Sequence, residues 1–149
     1  MKICLVCSHG GHLTEMEMLY PAMTGYEKFL VTYRSQRTEE TNLGQRKYLL
    51  DHVGTNAWRA AKLIYKAMVI LLRERPDVVL SIGAEIAIPF LWFGKLMGAK
   101  TVYIESWCRV NTKSLTGPLV YPIVDLFLIQ WPSLANEYGP KAKYFGGLI

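Results

Sequence analysis

Residues 3–23 read ICLVCSHGGHLTEMEMLYPAM, and this stretch decides the class of fold. Ile3 to Cys7 is a short apolar run that leads into glycines, which is typical of a buried parallel strand. From Leu13 to Met23 the apolar residues recur at helical spacing. A strand that passes through a glycine loop into a helix is the first unit of a nucleotide-binding type of α/β domain.

The rest of the chain continues this alternation. We expect further strands at Phe29 to Thr32, Tyr48 to Val53, Val78 to Ser81, Thr101 to Ile104, Leu126 to Ile129 and Lys143 to Phe145. Helices are expected at Thr55 to Arg75, Ile86 to Met97 and Leu115 to Val124. The polar stretch from Tyr33 to Gln45 predicts a mobile loop. Strands that alternate with helices predict a Rossmann-like, mostly parallel sheet with helices on both faces.

Composition and charge limit the function classes. The chain has 149 residues, 51% hydrophobic and 19% charged, which is enough for one domain with a buried core. A net charge of +5 suits anionic lipid and phosphate-bearing ligands, and no basic run with interleaved aromatic residues indicates nucleic acid. No apolar run reaches the roughly 18 residues of a membrane span. We therefore expect a cytoplasmic protein that lies on a membrane rather than through it.

The three cysteines are expected to be free thiols. Cys4 and Cys7 have the spacing of a redox motif, but they fall in the first predicted strand. Residues three apart in a strand point to opposite faces, so these two cannot pair easily. With Cys108 they fit a reducing compartment.

The loop Ser8-His9-Gly10-Gly11-His12 predicts a site for phosphate. Glycines let the backbone approach an anion, and the helix that follows offers free N–H groups and the positive end of its dipole. The loop matches neither the Gly-x-Gly-x-x-Gly dinucleotide motif nor a P-loop. His12 could bind phosphate or act as a base, or it could only cap the helix, and the residues alone leave this open. Two histidines without a carboxylate or cysteine cluster do not predict a metal site.

The longest predicted helix carries a basic face. Arg59, Lys62, Lys66 and Arg73 fall within roughly 60° of one another at helical spacing, and Trp58 is among the apolar residues beside them. Such a face can lie on anionic lipid. It is equally the pattern of an ordinary solvated helix face over a core stripe, and both interpretations stay open here.

The segment between residues 77 and 132 is the most specific part of the sequence. Glu105 and Ser106 place a carboxylate at the C-terminal end of a predicted strand, where ligands bind in open parallel sheets. Arg109 and Lys113 follow in a polar loop and could bind a diphosphate. Glu105 could be a base, a holder of sugar hydroxyls, or the partner of Arg109 in an ion pair.

Together with Gly10-Gly11-His12 and Glu15-Met16, these motifs resemble one family. The matching residues continue with Val110, Ser114-Leu115-Thr116-Gly117, Tyr121-Pro122 with Asp125, and Gln130-Trp131-Pro132. The chain resembles the membrane-anchoring subunit of the two-component UDP-N-acetylglucosamine transferase of N-linked glycosylation. It resembles even more closely the bacterial relatives that serve in exopolysaccharide and capsule synthesis.

The resemblance implies a GT-B fold divided between two polypeptides. Residues 1–149 would form the N-terminal, acceptor-side domain, and a small C-terminal-domain-type subunit would bind most of the UDP-sugar. The complex would be an inverting, metal-independent hexosyltransferase without a cofactor, and this chain alone would be inactive. It would move a sugar onto a lipid-diphosphate-linked sugar, at the inner face of the plasma membrane, in polysaccharide or oligosaccharide biosynthesis.

The resemblance and the chemistry of the residues together give candidate roles. The catalytic candidates are His12 and Glu105. The phosphate- or acceptor-binding candidates are Ser8, His9, Gly10, Gly11, Ser106, Arg109 and Lys113. The membrane-contact candidates are Trp58, Arg59, Lys62, Lys66 and Arg73. The candidates for the partner interface are Trp131, Pro132, Phe145, Gly146, Gly147, Leu148 and Ile149, the last four of which form a tail towards the partner.

Two other functions remain open. One is a non-catalytic membrane scaffold that recruits a catalytic partner, in which case His12 and Glu105 would be dispensable. The other is a stand-alone Rossmann-like nucleotide-binding enzyme. The missing dinucleotide motif, and the missing acidic residue after the second strand, argue against the second alternative.

Overall fold

Within the residues that the structure describes, seven parallel strands form one sheet in the order β3-β2-β1-β4-β5-β6-β7. The computed structural model describes residues 1–54 and 56–148. The strands are β1 (Lys2–Cys7), β2 (Glu27–Tyr33), β3 (Arg46–Leu50), β4 (Val78–Ile82), β5 (Lys100–Ile104), β6 (Leu126–Ile129) and β7 (Ala142–Tyr144). The predicted fold class, a Rossmann-like parallel sheet, is confirmed.

Helices cover both faces of the sheet. They are α1 (Gly11–Leu19), α2 (Gln36–Glu40), α3 (Ala57–Glu74), α4 (Ala87–Leu96), α5 (Thr116–Val120) and α6 (Leu134–Tyr138). One buried cluster lies beneath α1, and a second, larger cluster lies beneath α3 and α4. Cys4 belongs to the larger cluster and Cys7 to the other, so their side chains lie on opposite faces, as predicted. Neither they nor Cys108 forms a disulfide.

Two short helices were not predicted. α2 lies within the stretch that was expected to be a loop. Ser35 starts it with a capping box, since its hydroxyl accepts from the Thr38 N–H at 3.2 Å and the Thr38 hydroxyl accepts from the Ser35 N–H at 2.8 Å. α6 carries Leu134 and Tyr138 into the core.

Several element boundaries differ from the prediction. α1 ends at Leu19 because Pro21 follows, and Tyr20–Met23 forms a 3₁₀ turn. α5 ends at Val120, four residues before the predicted end. α3 begins after Asn56, whose side chain accepts from the backbone N–H groups of the next turn at 2.9 and 3.2 Å. Residue 55, the predicted start of this helix, lies outside the described residues.

No helix within the two described ranges combines the length and the apolar content needed to cross a membrane. The strand order positions the candidate site. From β1 the chain continues to β2, towards one edge of the sheet, and from β4 it continues to β5, towards the other edge. Open α/β sheets bind ligands beyond the carboxyl ends of the strands at such a switch point.

Candidate functional site

A cavity of about 600 Å³ lies beyond the carboxyl ends of β1, β4 and β5. The loops that follow these three strands form its walls. Its size is in the usual range for ligand sites, and its position is the switch point between β1 and β4. The predicted residues that line it are Ser8, His9, Gly11, His12, Glu105, Ser106 and Arg109.

Gly10 and Lys113 are the two predicted residues of this set that do not line the cavity in the described structure. Gly10 turns the chain into α1 with a φ of 78°, and its carbonyl accepts from the N–H groups of Leu13 and Thr14 at 3.1 and 3.2 Å. The Nζ of Lys113 lies 5.5 Å from the centre of the Tyr138 ring. Gly10 therefore shapes the loop, and Lys113 makes a cation–π contact beside the cavity.

Gly83 makes room for the imidazole of His12. This glycine has a φ of +67°, which side chains rarely adopt. A Cβ at this position would lie 2.6 Å from Cε1 of His12 and 3.0 Å from its Nδ1. Glycine at residue 83 therefore lets the turn after β4 pack against the imidazole of His12 in its present position.

A fully buried carboxylate lies behind His12. The Oε1 of Glu15 is 3.7 Å from His12 Nδ1. Ser106 Oγ donates to Oε1 at 2.7 Å, while Gln130 Nε2 and the Trp107 N–H donate to Oε2 at 2.7 and 3.2 Å. His12 Nδ1 is itself buried and has no hydrogen-bond partner among the described residues. A small movement would join this nitrogen to the carboxylate.

Glu105 is also fully buried, but its oxygens already accept several hydrogen bonds. The Ser106 N–H donates to Oε1 at 3.0 Å, the Ser114 hydroxyl donates to Oε2 at 2.8 Å, and the Tyr138 hydroxyl donates to the same oxygen. No ion pair joins Glu105 to Arg109 in the part of the chain that the structure describes. Glu105 therefore ties the loop after β5 to α6.

The donors to Glu105 stay protonated over the whole physiological range. Burial, and then the hydrogen bond to Glu105, raises the pKa of Tyr138 above that of an ordinary phenol. Burial, and then the charge of Glu105, raises the pKa of Tyr103 as well. Both phenols therefore stay protonated near neutral pH, and the Tyr103 hydroxyl lies 3.4 Å from Glu105 Oε1.

Several residues of the cavity were given no role from the sequence. His52 and Glu85 lie on its rim, with His52 Nε2 3.7 Å from Glu85 Oε1, and the Tyr33 hydroxyl donates to the same oxygen at 2.9 Å. Tyr33 ends β2, while His52 and Glu85 lie in separate loops, and no local pattern in the sequence joins the three. Glu15 did carry a signal, because it follows His12 by three residues on one helix.

The predicted partner interface is partly built into the fold. Trp131 Nε1 donates to the Trp107 carbonyl at 2.6 Å, and the Leu148 N–H donates to Gln130 Oε1 at 3.1 Å. Phe145 is 81% exposed. Pro132 and Gly146 are exposed, Gly147 lines a small cavity with Trp131, and Ile149 lies outside the described residues.

The outward side of α3 is apolar and is bordered by the predicted basic face. Trp58, Tyr65 and Leu72 are exposed on this side, Trp58 to 70%, while residues such as Leu63 and Ala67 face the core. The Nζ of Lys62 lies 5.9 Å from the Trp58 ring, and that of Lys66 lies 3.8 Å from the Asp51 carboxylate. Arg59 and Arg73 are exposed. The helix therefore presents apolar surface both to the core and to the outside.

Sequence comparison identifies relatives of the chain. Residues 51–148 match the family model described as "Oligosaccharide biosynthesis protein Alg14 like". The UDP-N-acetylglucosamine transferase subunit ALG14 of Candida albicans is 41% identical over 87 residues, which are 54% of this chain and 39% of that protein. The human protein of the same name is 35% identical over 86 residues, with the same two shares. The match thus spans about two fifths of the length of these curated relatives.

Solved structures share the fold. The MurG structure from Acinetobacter baumannii superposes with a TM-score of 0.76 at 15% identity, over 97% of this chain and 44% of that one. The UDP-GlcNAc 2-epimerase from Methanocaldococcus jannaschii, solved in complex with UDP-GlcNAc and UDP, gives 0.76 at 14% identity, over 99% and 47%. Identities this low establish the fold alone, and that fold is the GT-B type predicted from the sequence.

Proposed function

This chain belongs to the family of Alg14-like oligosaccharide biosynthesis proteins, and we propose on that basis that it is the acceptor-binding, membrane-associating subunit of a two-component inverting glycosyltransferase. The complex moves a sugar from a UDP-sugar to a lipid-diphosphate-linked sugar. Relatives named as UDP-N-acetylglucosamine transferase subunits support the reaction class. The observation that carries the proposal is the cavity at the switch point, which combines a glycine loop with His12 and the buried Glu15.

The glycine loop suits the diphosphate of the acceptor. In α1 the first N–H groups bonded within the helix are those of Leu13 and Thr14, so Gly11 and His12 stand at the end where N–H groups are free to bind an anion. Arg109 brings a permanent positive charge to the same cavity. Together they stabilise the acceptor diphosphate and hold its sugar near His12.

In this proposal His12 takes the proton from the attacking sugar hydroxyl. A neutral imidazole that turns its Nδ1–H towards Glu15 leaves Nε2 free as the base. The present separation of 3.7 Å is longer than a hydrogen bond, and catalytic contacts often tighten when substrate binds. The carboxylate of Glu15 orients the ring and stabilises its protonated form, so Glu15 is a positioning residue.

We assign Glu105 a positioning role as well. Its oxygens already accept from Ser106, Ser114 and Tyr138, which leaves little capacity to bind a proton from substrate. Those hydrogen bonds hold the loop that carries Arg109. Glu105 therefore acts on the acceptor through this loop.

The rest of the active site comes from a partner in this proposal. The chain covers 44% of the MurG chain and 47% of the epimerase chain, and in each of those proteins the remainder belongs to the same polypeptide. We propose that a small C-terminal-domain-type subunit supplies that part, binds most of the UDP-sugar, and contacts Trp131, Pro132 and the tail from Phe145. We propose that the reaction serves exopolysaccharide or capsule synthesis at the inner face of the plasma membrane, as the resemblance described in the sequence analysis implies.

The test is transfer of labelled sugar from UDP-sugars into lipid-extractable product. It uses membranes that contain this chain alone, the candidate partner alone, or both. We expect product only with both. Product from this chain alone would place the donor site within it and contradict the two-component proposal.

The His12 and Glu15 assignments are tested in the same complex. Removing a general base typically costs 10²–10⁴-fold in rate, so we expect H12A to lower kcat by about 10²-fold or more. E15Q keeps the size of the side chain and should lower kcat about tenfold or more with KM nearly unchanged. E137Q makes the same chemical change at an exposed residue of α6 and should keep the full rate. Full activity in both H12A and E15Q would instead favour the non-catalytic scaffold.

A further inference from the structure

An apolar groove opens between α3 and α4, beside the candidate cavity. Its volume is about 370 Å³. Ala60, Leu63 and Ile64 line it from α3, while Ile88, Trp92 and Phe93 line it from α4. A groove of this size is at the lower end of the range for small-molecule sites.

The groove offers a ligand almost no polar group among its described lining residues. The indole Nε1 of Trp92 is already bonded to the Leu119 carbonyl at 3.2 Å. Among the described residues that line the groove, Glu85 is the charged one, and its carboxylate accepts from the Tyr33 hydroxyl and faces His52. A ligand segment buried in the groove is therefore expected to be apolar, because the walls would leave a buried polar group of the ligand without a partner.

The groove adjoins the candidate cavity, since Glu85 lines both. The cavity also holds His12 and Arg109, whereas the other lining residues of the groove are apolar. This polarity matches a molecule with a diphosphate at one end and a hydrocarbon chain at the other.

We propose that the groove binds the first part of the hydrocarbon chain of the lipid-diphosphate acceptor. The proposal rests on the function proposed above for the cavity, and it adds a second subsite to that function. The diphosphate lies at the glycine loop, and the chain leaves past Glu85 between α3 and α4. The exposed side chain of Ile64 marks the outer rim, from which the chain continues over the surface of α3.

A protein partner fits the groove less well than a hydrocarbon chain. An extended peptide would bring backbone N–H and C=O groups, for which these walls offer almost no partners. An unbranched or methyl-branched hydrocarbon chain carries no such groups.

The experiment measures binding of two soluble probes to the purified full chain by calorimetry. The probes are farnesyl diphosphate, with fifteen carbons, and dimethylallyl diphosphate, with five, both below any micelle-forming concentration. One methylene in an apolar pocket changes affinity by about tenfold or more, so we expect farnesyl diphosphate to bind at least tenfold more tightly. A60W should fill the groove and abolish this preference while leaving the weaker binding of the short probe unchanged.

The matched control is A61W, which adds the same side chain to the neighbouring exposed residue of α3. It should keep the preference for the longer chain. I64W, at the rim, where residue 64 is 49% exposed, serves as a second test if A60W does not fold, as judged by circular dichroism. Equal affinity for the two probes in the natural chain overturns the proposal, and so does an equal loss in A60W and A61W.

The outcome separates this inference from the proposed function. If the complex transfers sugar but chain length has no effect on probe binding, the lipid subsite is refuted and the proposed transferase function stands. If A60W abolishes a preference for the longer chain but the complex never transfers sugar, the lipid subsite stands and the proposed transferase function is refuted.

Discussion

Gly83 is the residue whose replacement should most specifically disturb His12. In the proposed transferase we expect G83A to lower the transfer rate by about 10²-fold, because a Cβ 2.6 Å from His12 Cε1 must displace the ring, and displacement of the proposed base by about 1 Å would cost rate on that scale. The backbone strain adds a stability cost of about 1 kcal/mol. Steady-state kinetics and thermal unfolding of the same preparation measure the two effects.

G98A is the control for this variant. Gly98 also has a positive φ, +87°, but a Cβ there would meet nothing within 4 Å. It should therefore show a similar loss of stability with an unchanged transfer rate. If G83A and G98A lower the rate equally, the contact between Gly83 and His12 has no role in the reaction.

At the scale of single residues, the sequence was informative where chemistry is local. The glycine loop and the strand-end rule both indicated the edge of the sheet where the cavity lies, and His12 and Glu105 line that cavity. Glu15 was missed as a buried group because a glutamate on a helix is usually solvated. Its burial depends on Ser106 and Gln130, which are 91 and 115 residues away along the chain.

Among the elements, Asp125 links α4 to the beginnings of β5 and β6. Its carboxylate accepts from Lys95 Nζ at 2.5 Å and from the Thr101 N–H at 2.8 Å. The hydrogen bond from Lys95, and then those from Thr101, lower its pKa to about 2 despite partial burial. Because the pKa in the folded state is below the usual unfolded value of about 3.9, this contribution to stability is present above about pH 4 and is lost as the pH falls towards 2.

We therefore expect D125N to lower the free energy of unfolding by about 1 kcal/mol at pH 7, a value that already allows for screening by solvent. The difference from the natural chain should shrink between about pH 4 and pH 2. Urea unfolding across this pH range measures it. D51N removes a carboxylate that is 81% exposed and 3.8 Å from Lys66, and it should change stability little at any pH. If the loss of unfolding free energy in D125N does not depend on pH, ionisation of the Asp125 carboxylate has no role in stability.

The strands and long helices were predictable because apolar runs and helical spacing extend over enough residues to be recognised. α2 and α6 have five residues each, too few to show a helical period. Ser35 with Thr38 was the one local sign of α2, since capping residues mark a helix start. The groove between α3 and α4 could not be predicted at all, because it depends on how closely the two helices approach.

For the whole molecule, the net charge of +5 and the outward side of α3 together predict an orientation on a membrane. We expect the chain to sediment with vesicles that contain phosphatidylglycerol, and salt to weaken this binding. Each lysine near an anionic surface contributes about 1 kcal/mol, so K62A with K66A should weaken binding roughly tenfold or more. K100A with K143A removes the same charge from exposed residues of β5 and β7 and should have a smaller effect. Equal losses of vesicle binding in the two double variants would show that net charge alone attracts the chain to the vesicles.

The fold class of the whole molecule was predictable from the sequence, because strands that alternate with helices favour a parallel sheet covered by helices on both faces. The proposed function was inferred from the order and spacing of several motifs along the chain rather than from any single motif. The identity of the sugar is not encoded in these residues in our proposal, since the partner binds most of the UDP-sugar.

The uneven burial of the three thiols gives this protein a built-in attachment point for a reporter. Burial, and then the charge of Glu74, raises the pKa of Cys4, and burial raises that of Cys7 to about 12, so neither thiol forms the reactive thiolate near neutral pH. Cys108 is exposed and stands in the wall of the cavity. A maleimide fluorophore would therefore attach at one known position, and its emission would follow the arrival of acceptor or partner in a chain of natural sequence.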